Sequence, residues 1–479
     1  MTLQTKNKFH IHSAKCRLSV IIGFLIIFAG CTLPGGKQQT NRIRFTIQNT
    51  LSIPRKNVPI VMTLAQLRKV SPDFSLQAYS VVTGKAPREA MIPAQADDLN
   101  YDGERDQLVF LLDLEPEETK EIAILYDPNV KATFTLDVKK QTRAGIFPEL
   151  NVMAAVESDL IAYLLKHNGA VVAYGKKREE LFSVNNMFQG ELVERGSLSP
   201  EFRFHFESHK IALTQKPNAL HIEVEKPEHR WVIHDFENQE DYFVRKSQEQ
   251  LTLYKSIGLS LNALLDAENT TMVALTPQEG LIGCGGFALW HKGKRELIPL
   301  PNEGDYIRIL ANGGTRSVVQ RILPRWNING ETYQLTSTTF IYGGNPWIEH
   351  HIHVDRELPS DYAIVVGIPK LGETSDVDED QGLLWSWGTD PGGTYSLGVA
   401  LIYPTTQAGE LIDTDPSLIS IVLNPNAEGR ISYRAFAIWE GGINGIQSKT
   451  EFEQLLQFMT TEMKNLPSIE FLLSEEGKK

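Results

Sequence analysis

Cysteine is scarce in this sequence, which has three among 479 residues: Cys16, Cys31 and Cys284. Two of them lie within the first 31 residues, so the rest of the chain has a single thiol and can form no internal disulfide. A chain of this length buries most of its surface on folding, and stability is expected from a packed core. Cys284 lies between glycines, and we predict a buried, unreactive thiol there.

Positive charge is also in deficit, because the formal net charge is −12. A nucleic-acid partner requires a basic face, so this balance argues against nucleic-acid binding. The sequence has no Gly-x-Ser-x-Gly elbow, no His-Glu-x-x-His motif, no phosphate-binding glycine loop and no dinucleotide fingerprint. The commonest hydrolase, zinc-protease and nucleotide-binding classes are therefore disfavoured.

The apolar run near the start of the chain, Leu18 to Phe28, is shorter than the roughly 20 residues of a membrane-spanning helix. Small residues follow it in Ala29-Gly30-Cys31, which resembles a lipobox. Only basic charges precede it: Lys6, Lys8, Lys15 and Arg17. We predict that residues 1–30 are a lipoprotein signal peptide and that Cys31 is the lipid-modified first residue of the mature protein. A plain secretory signal with a coincidental cysteine is the alternative.

The predicted location is the bacterial cell envelope, in the periplasm, outer membrane or cell surface, with the lipid anchor as the membrane contact. Residues 31–40 are polar and contain glycine and proline, as expected for a tether.

Alternation of apolar and polar residues indicates a mainly β protein. Residues 41–135 are predicted to form a small β-sandwich, with a short helix near Leu64 to Leu67. Residues 150–472 show many short strands separated by glycine-rich turns, which predicts a large β-sandwich. A C-terminal helix is predicted from the capping-box spacing of Ser448 and Glu451, followed by apolar residues at helical spacing.

A candidate calcium loop spans Asp98 to Asp106, where oxygen ligands recur at alternating positions around Gly103. The predicted ligands are Asp98, Asn100, Asp102 and Asp106. Position 12 is Val109, so the bidentate glutamate of an EF-hand is missing. We expect a structural role for calcium if it binds, and a solvated acidic turn is the alternative.

Two further segments are rich in residues that could perform chemistry. Residues 228–246 contain histidine, tyrosine and arginine, the types that abstract a proton beside a carboxylate and neutralise that carboxylate. A solvated, charge-rich connection is the alternative. The segment 349–355 is predicted to be a strand with Glu349, His351, His353 and Asp355 on one face. A polar sheet face is favoured there over a zinc site, because no third ligand is identifiable.

The chain resembles the DUF4861 family, a domain of unknown function in exported bacterial proteins. Its Gly283-Cys284-Gly285-Gly286-Phe287 segment is the most characteristic match together with the block from Pro54 to Ile60. Similar blocks cover most of residues 41–472: Pro93 to Asp98, Asp102-Gly103, Asp106 to Phe110, Glu157 to Tyr163, Tyr174 to Lys177 and Gly314 to Val319. A Tyr-His and Trp-Gly-x-Asp block that the family usually carries before Gly283 is absent here, where residues 236–282 are longer.

The resemblance implies a wide β-sandwich of the type shared with sugar mutarotases and polysaccharide lyases. It also implies a lyase or dehydratase that acts on uronate-containing oligosaccharides by β-elimination. Under that hypothesis Arg230 or Arg245 binds the carboxylate, and His234 and Tyr242 serve as base and acid. Two residues in family-like segments are expected to line the cleft: Tyr163 and Arg316.

The second hypothesis is a lipoprotein that binds glycans without turnover. It requires an open groove lined by aromatic residues, and the candidates are Trp231, Trp326, Trp347, Trp385 and Trp387. For Trp385 and Trp387, which share one strand face, a buried aromatic pair is the favoured interpretation.

Overall fold

The computed structural model describes the chain from residue 41 to residue 472, with gaps. The described ranges are 41–84, 88–100, 102–129, 140–146, 152–179, 181, 190–192, 220–225, 230–235, 240–247, 250–256, 272–277, 280–301, 304–443 and 445–472. The predicted signal peptide, Cys31 and the tether lie outside these ranges. Among the described residues, no helix has the length and apolar character needed to cross a membrane.

The fold is mainly β with a C-terminal helix, as predicted. The first part of the chain contains β1 (Asn41–Gln48), β2 (Arg55–Thr63), α1 (Leu64–Val70), β3 (Tyr79–Thr83), β4 (Ala90–Ile92), β5 (Ala94–Asp97), β6 (Gln107–Leu114) and β7 (Thr119–Tyr126). The next elements are β8 (Thr142–Ile146), β9 (Val152–Ser158), β10 (Ile161–Lys166), β11 (Val171–Lys176), β12 (Gly190–Leu192), β13 (Leu220–Glu225), β14 (Arg230–Asp235), β15 (Glu240–Ser247), β16 (Gln250–Ser256) and β17 (Met272–Ala274).

The second half is the more regular part of the chain. It contains β18 (Phe287–His291), β19 (Glu296–Ile298), β20 (Tyr306–Asn312), β21 (Arg316–Ile328), β22 (Glu331–Tyr342), β23 (Trp347–Val354), β24 (Tyr362–Pro369) and β25 (Gly372–Asp378). It ends with β26 (Leu383–Thr389), β27 (Ser396–Ile402), a 3-10 turn (Thr405–Gln407), β28 (Ala408–Ile412), β29 (Leu418–Leu423), β30 (Arg430–Trp439), α2 (Lys449–Lys464) and β31 (Ser468–Leu472).

The N-terminal sandwich consists of two sheets, ordered β31-β1-β7-β3-β4 and β2-β6-β5. Their facing side chains, among them Phe45, Phe110 and Ile124, are fully buried in one core. The predicted short helix is present as α1, and Thr63 and Gln66 form its capping box. The last strand, β31, pairs with β1, so a segment that the sequence assigned to the large sandwich completes the small one instead.

The large sandwich is built on an eight-stranded antiparallel sheet, ordered β20-β21-β22-β23-β30-β27-β26-β25. Two five-stranded sheets, β17-β11-β10-β9-β8 and β19-β18-β24-β29-β28, pack against its inner face. The core between them is almost entirely aliphatic and aromatic. A further sheet, β12-β16-β15-β14-β13, is formed by five strands between residues 190 and 256, and only the backbone of these strands is described.

The outer face of the eight-stranded sheet is covered at two places. Helix α2 packs Phe452 and Leu456 against Trp385, Trp387 and neighbouring side chains. Side chains of β2 and β6 in the N-terminal sandwich, such as Val109, pack near the β20–β22 side of the same face. Between these two covers, the strands β21, β22, β23 and β30 present partly exposed polar side chains, which form the candidate site.

Candidate functional site

Strand β23 divides its side chains between the two faces as the sequence predicted. His350 and Ile352 point into the core, where each is about 2% exposed or less. Burial, with a smaller contribution from the neighbouring His351, lowers the pKa of His350 to about 3. His350 therefore stays neutral and makes a hydrogen bond with Thr339 Oγ1 through Nδ1, at 3.0 Å. Glu349 and His351 lie on the opposite, outer face.

A row of polar residues runs across the outer face at the level of His351. The strand register places Arg308, Gln320, Thr338, His351 and Ser432 opposite one another in five neighbouring strands. Opposite residues of antiparallel strands share a face and lie about 5 Å apart. All five are partly exposed. This polar row, as we call these five residues, presents hydrogen-bond donors and acceptors on a partly exposed face.

Glu349 organises the site beside the polar row. It accepts hydrogen bonds from His351 Nε2 at 2.8 Å and from Arg434 Nε at 2.9 Å. Burial alone would raise the pKa of Glu349, but Arg434 and His351 lower it to about 2. Because an ionised carboxylate only accepts hydrogen bonds, Nε2 is the nitrogen through which His351 donates to Glu349. This is the arrangement of a base oriented by a carboxylate.

Two contacts hold the Arg434 side chain. Its guanidinium lies over the Trp347 ring, 4.0 Å from the centroid, and Glu349 fixes its Nε. Ile402 occupies the opposite position on β27. The side chains of Glu349, His351 and Arg434 are 20%, 24% and 20% exposed, so solvent reaches all three.

The C-terminal end of α2 forms one border of this site. Glu462 of α2 interacts electrostatically with Arg55 of β2 and Arg434 of β30. Burial raises the pKa of Glu462 to about 7, although the two arginines oppose the shift. Sequence reasoning identified Glu349 and His351 as members of a polar face. It missed Arg308, Gln320 and Arg434, because their place on this face depends on strand pairing. It missed Glu462 because the place of that residue depends on how α2 packs on the sheet.

Four predicted catalytic residues lie on the sheet of residues 190–256, and their side chains are outside the described part of the structure. The backbone register places Arg230 opposite Arg245, and Tyr242 opposite Ile233. His234 follows Ile233, so His234 and Tyr242 occupy positions on opposite faces of the sheet. Arg230, Arg245 and His234 share a face. Their catalytic roles stay predictions.

Tyr163 and Arg316 were expected to line a cleft, but both are buried within the protein. Tyr163 is 0% exposed, donates a hydrogen bond to Pro346 O at 2.5 Å and accepts one from Ala437 N at 3.2 Å. Arg316 is 1% exposed and forms an ion pair with Asp97. Their partners are structural, because they join the sheets and the two sandwiches, and no solvent-facing surface remains for substrate.

The predicted calcium ligands lie together in the loop between β5 and β6. Their oxygens accept hydrogen bonds from the loop backbone: Asp106 Oδ2 from Leu99 and Asn100, and Asp98 Oδ2 from Gly103 at 2.8 Å. Asp102 Oδ2 accepts from the Asn100 amide at 2.9 Å. Asp106 Oδ1 is buried without a hydrogen-bond partner. Among the described residues, no three histidine, cysteine or acidic side chains are grouped to hold a metal ion, so calcium stays a prediction.

The aromatic groove required by a pure binding function is not formed by the tryptophans whose side chains are described. Four of them are buried, with exposures of 4% to 7%: Trp326, Trp347, Trp385 and Trp387. Trp385 and Trp387 both pack on Phe452, as the favoured interpretation of a buried pair predicted. The fifth candidate, Trp231, lies where side chains are not described.

Cys284 is buried, as predicted. Its side chain is 0% exposed, and burial raises the pKa of the thiol to about 12. The Sγ atom lies 3.7 Å from the carbonyl oxygen of Phe436, consistent with a weak S–H donor in a closed environment.

Comparison with solved structures finds matches of low similarity. A protein in glycosyl hydrolase family 38 from Enterococcus faecalis matches 90% of this chain and 47% of its own, with 10% identity and a TM-score of 0.43. An α-mannosidase from Enterococcus faecalis V583 matches 90% of this chain and 46% of its own, with 10% identity and a TM-score of 0.40. The chain thus spans about half the length of these proteins.

No curated protein sequence matches the chain. The sequence profile of DUF4861, a domain of unknown function, matches residues 47–164 and 281–469. The matched segments include the strands that carry Glu349, His351 and Arg434, whereas the unmatched interval contains the sheet of residues 190–256. Because the match covers most of the chain, the protein belongs to the DUF4861 family.

Proposed function

We propose that the protein acts on oligosaccharides containing uronic acids, at the outer face of the eight-stranded sheet, as a lyase or dehydratase. The observation that carries the proposal is the hydrogen bond between His351 and the ionised Glu349, beside the polar row. A histidine oriented by a carboxylate is a competent general base. The Glu349 carboxylate also fixes Arg434 at the same place.

The charge of this surface suits an anionic sugar. Arg308, Arg430 and Arg434 lie on the outer face, and Arg434 is paired with Glu349. Arginine binds carboxylates through paired N–H groups, and Arg434, which shares Glu349 with His351, would hold the carboxylate of the reacting uronate. Arg308 and Gln320 lie three and two strands from His351, so they would contact a neighbouring sugar of the oligosaccharide. The neutral members Thr338 and Ser432 would bind hydroxyl groups.

The proposed step is an elimination across the C4–C5 bond of the uronate. His351 Nδ1 removes the proton from C5, and the electron pair of the broken C–H bond forms the C4=C5 double bond. The C4–O bond breaks, and the leaving oxygen takes a proton. An arginine on the carboxylate stabilises the charge that develops during proton removal.

Export and anchoring complete the proposal. With Cys31 lipid-modified, the domain would be held at the surface of a membrane of the cell envelope, where extracellular oligosaccharides arrive. Labelling with a radioactive fatty acid tests the anchor, and Cys31→Ala should abolish incorporation while Cys16→Ala should not. Incorporation that is unchanged in Cys31→Ala would contradict it.

The elimination is tested by incubating the protein with a panel of uronate oligosaccharides and following the ultraviolet absorbance of the new double bond. We expect turnover that falls about 100-fold or more in His351→Asn, since general bases contribute that much. His291→Asn is the matched control, because His291 is a partly exposed histidine on β18, in another sheet. Full activity in His351→Asn would contradict the site, and binding without any turnover would favour the glycan-binding alternative.

A further inference from the structure

A second row of side chains runs beside the polar row on the outer face of the eight-stranded sheet. The strand register places Tyr306, Ile322, Thr336, His353 and Arg430 opposite one another in the same five neighbouring strands. Each lies two residues along its strand from a member of the polar row, which separates the two rows by about 7 Å. All five are exposed at least in part. The two rows therefore form one continuous surface.

Tyr306 gives this surface an aromatic side chain. It is 56% exposed, and it is the only mostly exposed phenylalanine, tyrosine or tryptophan among the side chains that the structure describes. It begins β20 at the edge of the sheet, and its neighbour Ile322 on β21 is also partly exposed. An aromatic ring beside an aliphatic side chain offers an apolar surface to the C–H groups on the face of a sugar ring.

The backbone at Tyr306 is fixed from the inner face of the sheet. The preceding residue, Asp305, pairs through its carboxylate with Arg321 Nε at 2.8 Å and with His167 Nδ1 at 3.2 Å. Arg321 also donates a hydrogen bond to the carbonyl oxygen of Pro301 at 2.9 Å. The side chains of Asp305 and Arg321 are only 8% and 2% exposed, so solvent screens this ion pair weakly. Tyr306 is thus held at its backbone while its ring lies in solvent, and little order is lost when a ligand binds it.

The charge of the two rows suits an anionic chain. The protein has a formal net charge of −12, yet neither row contains an acidic residue, and each contains an arginine, Arg308 in one and Arg430 in the other. A positive surface on an acidic protein attracts anions to that place. Strand β20 lies three strands from β23, a distance of about 14 Å, which is longer than a disaccharide.

We infer that Tyr306 is the stacking platform of a distal sugar subsite, so that this face binds a uronate chain of at least about three units laid across β20 to β23. The inference rests on the proposed function, because it uses the same surface and the same substrate class. The reacting uronate lies at His351 and Arg434, and a sugar further along the chain stacks on Tyr306. Tyr306 touches no reacting atom, so it contributes to binding and leaves the chemical step unchanged.

Dimers and tetramers of galacturonate, glucuronate, mannuronate and guluronate test the subsite. Tyr306→Ala should raise KM for the tetramer about 5-fold or more and leave kcat unchanged, and it should change neither constant for the dimer, which does not reach β20. Tyr306→Phe keeps the ring and should keep the KM of the unmodified protein. Met91→Ala is the control, because Met91 is similarly exposed, at 51%, on β4 of the N-terminal sandwich. An unchanged tetramer KM in Tyr306→Ala, or an equal rise in Tyr306→Phe, would overturn the inference.

Calorimetric binding of the tetramers separates this inference from the proposed elimination. It is measured with His351→Asn, to prevent turnover, with and without Tyr306→Ala. Tetramer binding that weakens about 5-fold or more in Tyr306→Ala supports the subsite, even if the unmodified protein eliminates none of the probes and the proposed elimination fails. Elimination of dimers and tetramers with equal affinity for both would overturn the subsite and leave the proposed function intact. Absence of both binding and turnover with every tetramer would overturn both.

Discussion

Asp97 and Arg316 form a buried ion pair, with 2.6 Å between Asp97 Oδ2 and Arg316 Nε, although they are 219 positions apart. Asp97 ends β5 of the N-terminal sandwich, and Arg316 begins β21 of the eight-stranded sheet. Gln107 accepts from the same guanidinium at 2.9 Å. The ion pair thus joins the two sandwiches. Arg316 is itself buried, so its role is to hold the two parts of the fold together.

Breaking this pair should destabilise the protein. Arg316→Met removes the guanidinium and leaves the Asp97 carboxylate buried, for which a cost of about 3–5 kcal/mol is typical. Urea unfolding followed by fluorescence measures it. Arg356→Met is the control, because Arg356 pairs with Glu331 at the surface, where the expected change is below about 1 kcal/mol. Equal losses in the two variants would contradict the structural role assigned to Arg316.

Local patterns predicted local features of this fold well. The alternation along β23 placed Glu349 and His351 on one face, and the Ser448–Glu451 spacing predicted the helix whose N-terminus Ser448 caps. The sequence could not show which residues from distant parts of the chain contact one another. Arg434 lies 85 positions from Glu349, and its place opposite Glu349 is a consequence of β23 pairing with β30.

The same limit explains the residues that were expected in a cleft. Tyr163 and Arg316 lie in segments that resemble the family, but the resemblance does not say whether a side chain is buried or exposed. Both are anchored by contacts to residues far along the chain: Pro346 and Ala437 for Tyr163, and Asp97 for Arg316. A buried tyrosine or arginine at a junction of sheets and an exposed one in a cleft have the same sequence signature.

Cys284 should resist alkylation in the folded protein. The thiolate is the reactive form, and a buried thiol with a pKa of about 12 forms almost none of it at pH 8. Iodoacetamide treatment followed by peptide mass spectrometry should show the Cys284 peptide unmodified in buffer and fully modified in denaturing urea. Rapid modification in buffer would show that the site opens to solvent.

Docking of α2 depends on the absence of a side chain at position 398. A Cβ atom added to Gly398 of β27 would lie 2.5 Å from Cε2 of Phe452, so Gly398→Ala should force the helix away from the sheet. We expect a loss of about 1–3 kcal/mol, as for other overpacked cores, measured by thermal unfolding. Gly293→Ala is the control, since its nearest contact would be an ordinary 3.4 Å. Adding Phe452→Leu should recover part of the loss in Gly398→Ala.

The loop from Asp98 to Asp106 gives a direct test for calcium. If calcium binds, millimolar Ca²⁺ should raise the melting temperature over that in chelator, and Asp102→Asn should reduce the increase, because a bound ligand stabilises only the folded state. Glu104→Gln is the control, because Glu104 is paired with Arg68 and is not one of the predicted ligands. Extracellular calcium sites bind with dissociation constants up to about 1 mM. An unchanged melting temperature at 10 mM Ca²⁺ would therefore reject the site.

Glu462 should make stability depend on pH in the neutral range. Its pKa is about 7 in the folded protein, because of burial, and about 4.3 in an unfolded chain. Between these values the folded state binds more protons than the unfolded state, so this contribution is complete below about pH 4.3 and is lost as pH rises through 7.

Glu462→Gln should therefore flatten the stability curve between pH 5 and 8. A pKa unit corresponds to about 1.4 kcal/mol, and partial exposure of Glu462 reduces the expected pH-dependent difference to about 1–2 kcal/mol. Urea unfolding of both proteins across this range measures it, with Glu453→Gln as the control on the same helix. The contribution of Glu349 to stability changes with pH in the opposite direction. Arg434 and His351 hold the pKa of Glu349 at about 2 against the effect of burial. The stability that Glu349 contributes is therefore lost only as pH falls from about 4.3 towards 2. Parallel curves for Glu462→Gln and the unmodified protein between pH 5 and 8 would show that the pKa of Glu462 is not raised and that the group is ionised at neutral pH.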